Sequence, residues 1–147
     1  MSNITQLIES ANITRRISRL VYHCTATPQN ATIESIQRYW RESLGWRSPG
    51  YHILVRADGT WVNLQNFNLA SNGVAGMNTD SIHVSYIGGI DSRGRALDNR
   101  TPAQKQVFKD IYHAFKRKLP HITFHGHNEF ANKACPSYNV QQDILTY

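Results

Sequence analysis

The chain has 147 residues, enough to bury one real core and few enough for a single domain. Hydrophobic residues at 40% and charged residues at 18% exclude a disordered or fibrous chain, two cysteines exclude a disulfide framework, and no apolar run reaches the length of a membrane span. Sixteen Lys and Arg against ten Asp and Glu leave a charge of +6, which suits a polyanionic partner: nucleic acid, an acidic membrane face or a cell-wall polymer.

In chain order, residues 1–16 read as an N-terminal arm or short helix with Ile4, Leu7 and Ile8 as its apolar anchors. Ile17–Cys24 reads as a buried strand. Ala31–Leu44 reads as a helix, because Ile33, Ile36, Trp40 and Leu44 recur at helical spacing and Gly45 follows. Tyr51–Arg56 and Thr60–Leu64 are predicted to form a hairpin around the turn Asp58-Gly59. The Asn-rich stretch Asn63–Asn78 reads as a long surface loop, Ile82–Ile87 as a strand closed by Gly88-Gly89, and Asp91–Arg100 as a polar loop.

Thr101-Pro102-Ala103-Gln104 carries an N-cap, a proline at the first helical position and a capping-box glutamine. Val107, Ile111, Phe115 and Leu119 then line one helix face, and Lys116, Arg117 and Lys118 complement the dipole at its end. Ile122–His125 is a last short strand, followed by a short helix. The order β, α, β, β, β, α, β, α predicts an α/β fold: one domain over 17–147, a central mixed β-sheet flanked by helices.

Chemistry concentrates at two places. Tyr22-His23-Cys24 ends the first predicted strand, and His127 follows the last, eight residues before Cys135 and Pro136. Strand ends are where loop residues gather into a cleft. Two imidazoles and one thiol are three protein ligands, the number a catalytic zinc site uses when its fourth position stays open; a structural site would want four. Strand alternation points Cys24 away from His23, toward packing. Other readings of the residues stand beside this one. Any single His is equally a satisfied imidazole, Cys135 a small buried residue or the partner of Cys24 in a disulfide, and His121, His125 and His127 a nuclease-like cluster or a hydrated strand end.

Seven short motifs occur together and in order: Val21-Tyr22-His23-Cys24-Thr25-Ala26-Thr27, Gly50-Tyr51-His52, Arg56-Ala57-Asp58-Gly59-Thr60, Gly76-Met77-Asn78, Tyr86-Ile87-Gly88-Gly89, Thr101-Pro102-Ala103-Gln104 and Lys133-Ala134-Cys135-Pro136-Ser137. In these the chain resembles the type 2 N-acetylmuramoyl-L-alanine amidases, and among them the short phage lysozymes of the T7 kind, relatives of animal peptidoglycan-recognition proteins. The resemblance runs from about Ile17 to the C-terminus and implies a peptidoglycan-recognition-protein-like amidase fold.

It also implies a zinc cofactor (Zn2+) held by His23, His127 and Cys135, with Tyr51 and Lys133 catalytic. Lys133, two residues from a ligand, would stabilise the oxyanion; Tyr51 would orient or deprotonate the attacking water or hydrogen-bond the oxyanion. The implied reaction is hydrolysis of the amide between the lactyl group of N-acetylmuramic acid and L-alanine in bacterial peptidoglycan. Trp46 and Trp61 are candidates for stacking on sugars, although core packing is the expected role for at least one of them. The expected setting is a monomeric phage endolysin without a signal peptide, made in the host cytoplasm, not inserted in a membrane, and acting on the cell wall.

Three positions depart from the family pattern: Gly73 stands where a groove histidine is common, the Val62-Asn63-Leu64-Gln65 stretch replaces the usual Glu and Gly-Arg, and His83 replaces a small glycine of the fourth strand. A rival class is a binding protein, either one that holds peptidoglycan without cleaving it or a regulator docked on the phage RNA polymerase through the arm Met1–Ile13. A nucleic-acid binder rests only on the charge and the His cluster, and no such partner is expected.

Overall fold

The computed structural model describes residues 3–147. Five strands, β1 (Arg19–Cys24), β2 (Ile53–Val55), β3 (Trp61–Asn63), β4 (Ser81–Tyr86) and β5 (Thr123–Gly126), form one sheet in the order β3-β2-β4-β1-β5. β3 runs antiparallel to β2 and every other pairing is parallel, so the sheet is mixed as expected. All six residues of β4 and five of six in β1 are buried, as befits central parallel strands covered on both faces.

Alternation divides the two faces. Leu20, Tyr22 and Cys24 of β1 and Ile82, Val84 and Tyr86 of β4 enter the main core, against α1 (Asn3–Ser10) and α3 (Pro102–Lys118). His23, His83 and Ser85 lie in the same strands at the alternate positions. Leu54 and Ile87 meet Ile36 and Trp40 of the helical segment 33–43 in a second, smaller cluster on that opposite side. The functional face is thus set by strand period before any loop is considered.

Helix α2 (Ile33–Arg38) starts later than its apolar spacing suggests, because Thr32 Oγ1 accepts the Ser35 N–H (3.1 Å) and caps it there. Its continuation, Tyr39–Ser43, widens to i→i+5 bonding, with Leu44 N–H donating to Tyr39 O at 3.2 Å. Gly45 then takes the left-handed conformation (φ 68°) that ends it. The hairpin strands are three residues each, shorter than expected, and the C-terminal α4 spans Val140–Asp143.

The described part of the N-terminal segment is helix α1, with Ile4 and Ile8 fully buried against α3 in the main core. Past Asn63, which ends β3, the Asn-rich stretch has no strand, yet it is tied down. Arg15 donates to Phe67 O (2.7 Å), Thr79 O (2.7 Å) and Ser81 O (2.8 Å), and Asn68 Oδ1 accepts the Thr14 N–H at 2.7 Å. Buried Arg100 similarly fixes the polar loop to α4, paired with Asp98 (2.9 Å) and Asp143 (3.0 Å) and lying 3.5 Å over the Tyr138 ring. Among the described residues no helix is long and apolar enough to cross a membrane.

Candidate metal centre and groove

His23 comes from the end of β1, His127 from a single 3-10 turn directly after β5, and Cys135 from the loop before α4. Their candidate ligand atoms all lie within 4.8 Å of one another, while the side chains run from buried (His23) to half-buried (His127 and Cys135). Because β1 and β5 are parallel neighbours, both strands deliver their histidines to the same edge of the sheet. Glu129 holds the turn that carries His127, its Oε2 accepting the Gly126 N–H at 2.6 Å and its Oε1 meeting His125 Nδ1 at 2.9 Å.

The donor chemistry suits a borderline-soft cation. Burial, then the neighbours His83, His127 and Lys133, hold His23 well below the ordinary imidazole range. Burial and Lys133 also lower His127. Both rings are therefore neutral near pH 7, with a lone pair each to offer. His23 Nδ1 lies 3.7 Å from Cys135 Sγ, against an edge of about 3.6 Å for an N,S pair on tetrahedral zinc. The adjacent Cys24 thiol and burial push the Cys135 thiol up, whereas the Cys24 N–H (3.2 Å from Sγ) and the charge of Lys133 favour its thiolate.

Cys24 is 4% exposed and belongs to the main core, as alternation predicted, and both cysteines are free thiols. His125 turns to Glu129 and to Thr123 Oγ1 (2.7 Å) rather than joining His127, so the three-histidine cluster does not form. Tyr51 stands beside the trio, its ring centroid 5.1 Å from that of His23 and its hydroxyl donating to Cys24 O at 3.2 Å. Trp40 packs edge-on to Tyr51 (5.4 Å, 77°) and is itself backed by Trp46. Burial, followed by the nearby Cys135, drives the Tyr51 phenol far above its usual range, which keeps it protonated near neutral pH and able to donate.

These residues floor a groove of about 590 Å³, a volume suited to a small-molecule or short-oligomer ligand. Lys133 lies exposed at its rim, Thr25 and Thr27 line one part, and half-exposed Tyr39 and Leu44 flank it. Trp46 lines the groove as well. Trp61 does not: it packs against the main core on the other side of the sheet, because odd positions of the short β3 face that way.

One neighbour of the trio was legible only as an oddity. His83 Nδ1 lies 2.9 Å from His23 Nε2, on the side of the ring away from Cys135. The signal was present in strand alternation, but it becomes readable only once β4 is known to pair with β1.

The family model for N-acetylmuramoyl-L-alanine amidase matches residues 13–138. The chain belongs to that family. It is 32% identical over 130 residues to the endolysin of Enterobacteria phage K11, covering 88% of this chain and 86% of that one. To the endolysin of Escherichia phage T7 it is 34% identical over 122 residues, covering 82% and 80%. The bumblebee PGRP-SA structure superposes with a TM-score of 0.76 at 20% identity, covering 93% of this chain and 85% of that one. The fold is therefore the peptidoglycan-recognition-protein-like amidase fold, and the chain is an amidase of the endolysin type.

Proposed function

We propose that His23, His127 and Cys135 hold a zinc ion at the floor of the groove, and that this amidase cuts the bond between the lactyl group of N-acetylmuramic acid and L-alanine in peptidoglycan. The convergence of three ligand atoms from three separate segments, within 4.8 Å and beside an open groove, carries this reading. When bound, zinc supplies Lewis acidity and lowers the pKa of a coordinated water toward neutrality.

The chain's own residues account for the rest. Tyr51, kept as a neutral phenol and positioned by Trp40, exchanges its hydrogen bond to Cys24 O for one to the reacting carbonyl oxygen. Lys133 brings a positive charge to the groove rim, where it stabilises the negative charge that develops as the amide carbonyl becomes tetrahedral. Buried walls of Trp40 and Ile36 exclude water from one side of the groove. The net charge of +6 favours accumulation on an anionic wall. In this reading the protein works as an endolysin, acting on the cell wall.

Metal analysis and product analysis test the proposal together. The purified protein is expected to contain one zinc per chain, lost in Cys135→Ser. Digestion of purified peptidoglycan is expected to free L-alanine amino ends with no new reducing sugar ends. A metal-free active protein would overturn the zinc assignment, and new reducing ends alone would overturn the bond assignment. Zinc without any release would favour a protein that binds the wall and does not cut it.

A further inference from the structure

The bond between His23 and His83 belongs to a chain of hydrogen bonds whose far end is backbone. The Val74 N–H donates to Asn78 Oδ1 (2.9 Å), which fixes that amide with its oxygen inward. The same oxygen lies 2.8 Å from His83 Nε2, and an amide oxygen can only accept. His83 Nε2 must therefore carry the proton. His83 is fully buried with no carboxylate among its hydrogen-bond partners, so its Nδ1 is a lone pair, aimed at His23 Nε2 at 2.9 Å. His23 must in turn carry its proton on Nε2, leaving its Nδ1 lone pair on the side of Cys135.

We infer that His83 is a positioning residue for the metal centre: it accepts the Nε2–H of His23 and so fixes the tautomer and ring orientation in which His23 Nδ1 is the ligand. The inference rests on the reading of His23, His127 and Cys135 as the metal site. Which imidazole nitrogen binds a metal is set by the hydrogen bond the other one makes, and here that partner is a second imidazole, not a carboxylate or carbonyl. His83 is held from its other side too, its backbone N–H donating to His52 Nδ1 at 3.0 Å.

Gly73 is part of the same device. A Cβ at Gly73 would stand 2.2 Å from His83 Cγ and 2.3 Å from Nδ1, so the imidazole occupies the space a side chain there would need. Gly73 is not among the glycines with positive φ, so alanine at this position meets the ring without backbone strain. The two departures noted at positions 73 and 83 are thus one departure, since the histidine in β4 requires the glycine opposite it.

Three variants of the full chain separate this role from general packing. His83→Asn keeps an acceptor oxygen near the place of Nδ1; His83→Leu fills the space without one; Gly73→Ala displaces the ring. Zinc dissociation constants from competition with a chromophoric chelator are expected to weaken about 10–100-fold in His83→Leu and Gly73→Ala. His83→Asn should stay near wild type, and the visible bands of the cobalt-substituted protein should change in His83→Leu and Gly73→Ala and not in His83→Asn.

Nitrogen-15 NMR of the wild-type rings gives a readout that needs no variant. Protons on Nε2 of both His23 and His83 are expected, and a proton on His23 Nδ1 would overturn the inference. So would wild-type zinc affinity in a folded His83→Leu protein. A wild-type protein that binds no zinc would remove the metal reading itself, and the inference with it.

Discussion

The side-chain amide of Gln104 donates to both Val55 O and Ile87 O, each at 3.2 Å, while its oxygen accepts the Thr101 N–H at 3.0 Å. One fully buried residue thus caps α3 and stitches the ends of β2 and β4 together. Gln104→Glu retains the cap acceptor but loses both donors and buries a carboxyl group against two carbonyls. It is expected to cost about 3 kcal/mol, read as a shift of the urea midpoint. An unchanged midpoint would mean that the amide bridge contributes nothing.

Tyr51→Phe removes one hydroxyl and leaves the ring between His23 and Trp40. Zinc content is expected to be unchanged and the turnover of peptidoglycan to fall by about 100-fold, the scale of a lost transition-state donor. Retention of full turnover would exclude Tyr51 from the reaction.

Lys133 is exposed and its side chain makes no hydrogen bond among the described residues, so Lys133→Ala should leave folding intact. Zinc should remain, while activity drops by about 100-fold or more. The check is zinc stoichiometry and peptidoglycan release measured on the same preparation. Full activity would refute the role.

His52 makes stability depend on pH. Burial holds its pKa down at about 4 from an ordinary 6.5. Its Nδ1 accepts from Ser71 Oγ (3.1 Å) and the His83 N–H, and its Nε2 donates to Leu69 O at 2.8 Å. Between pH 6.5 and 4 the unfolded chain binds the proton that the folded one refuses, so this stability is full above about 6.5 and lost as pH falls. The limit is about 3 kcal/mol. Urea midpoints measured from pH 7.5 to 4 should decline, less so in His52→Gln; the same slope in both proteins would assign the acid lability elsewhere.

Much of this protein was legible in its sequence because the physics is local. Helical spacing and the Thr101–Gln104 box set α3, and the period of two placed Cys24 in the core when His23 faces the groove. The ordered motifs around His23, Tyr51, Lys133 and Cys135 marked the family, whose model matches 13–138. Where the residues left alternatives open, the structure chose: Trp46 lines the groove while Trp61 takes the core packing, and His125 pairs with Glu129 four residues on instead of joining His127.

What the sequence determined alone was the element order, the amidase family and the identities of the groove's chemical groups. Their geometry was a tertiary decision. His23 and His127 share an edge only because β1 and β5 are parallel neighbours, and Cys135, eight residues after His127, meets His23 across a separation of 112 residues. Position 83 looked like a loss beside the family's glycine until the pairing of β4 with β1 set its ring against His23, over the bare backbone of Gly73. Strand period tells which face a residue takes, but only strand pairing tells which residue it meets there.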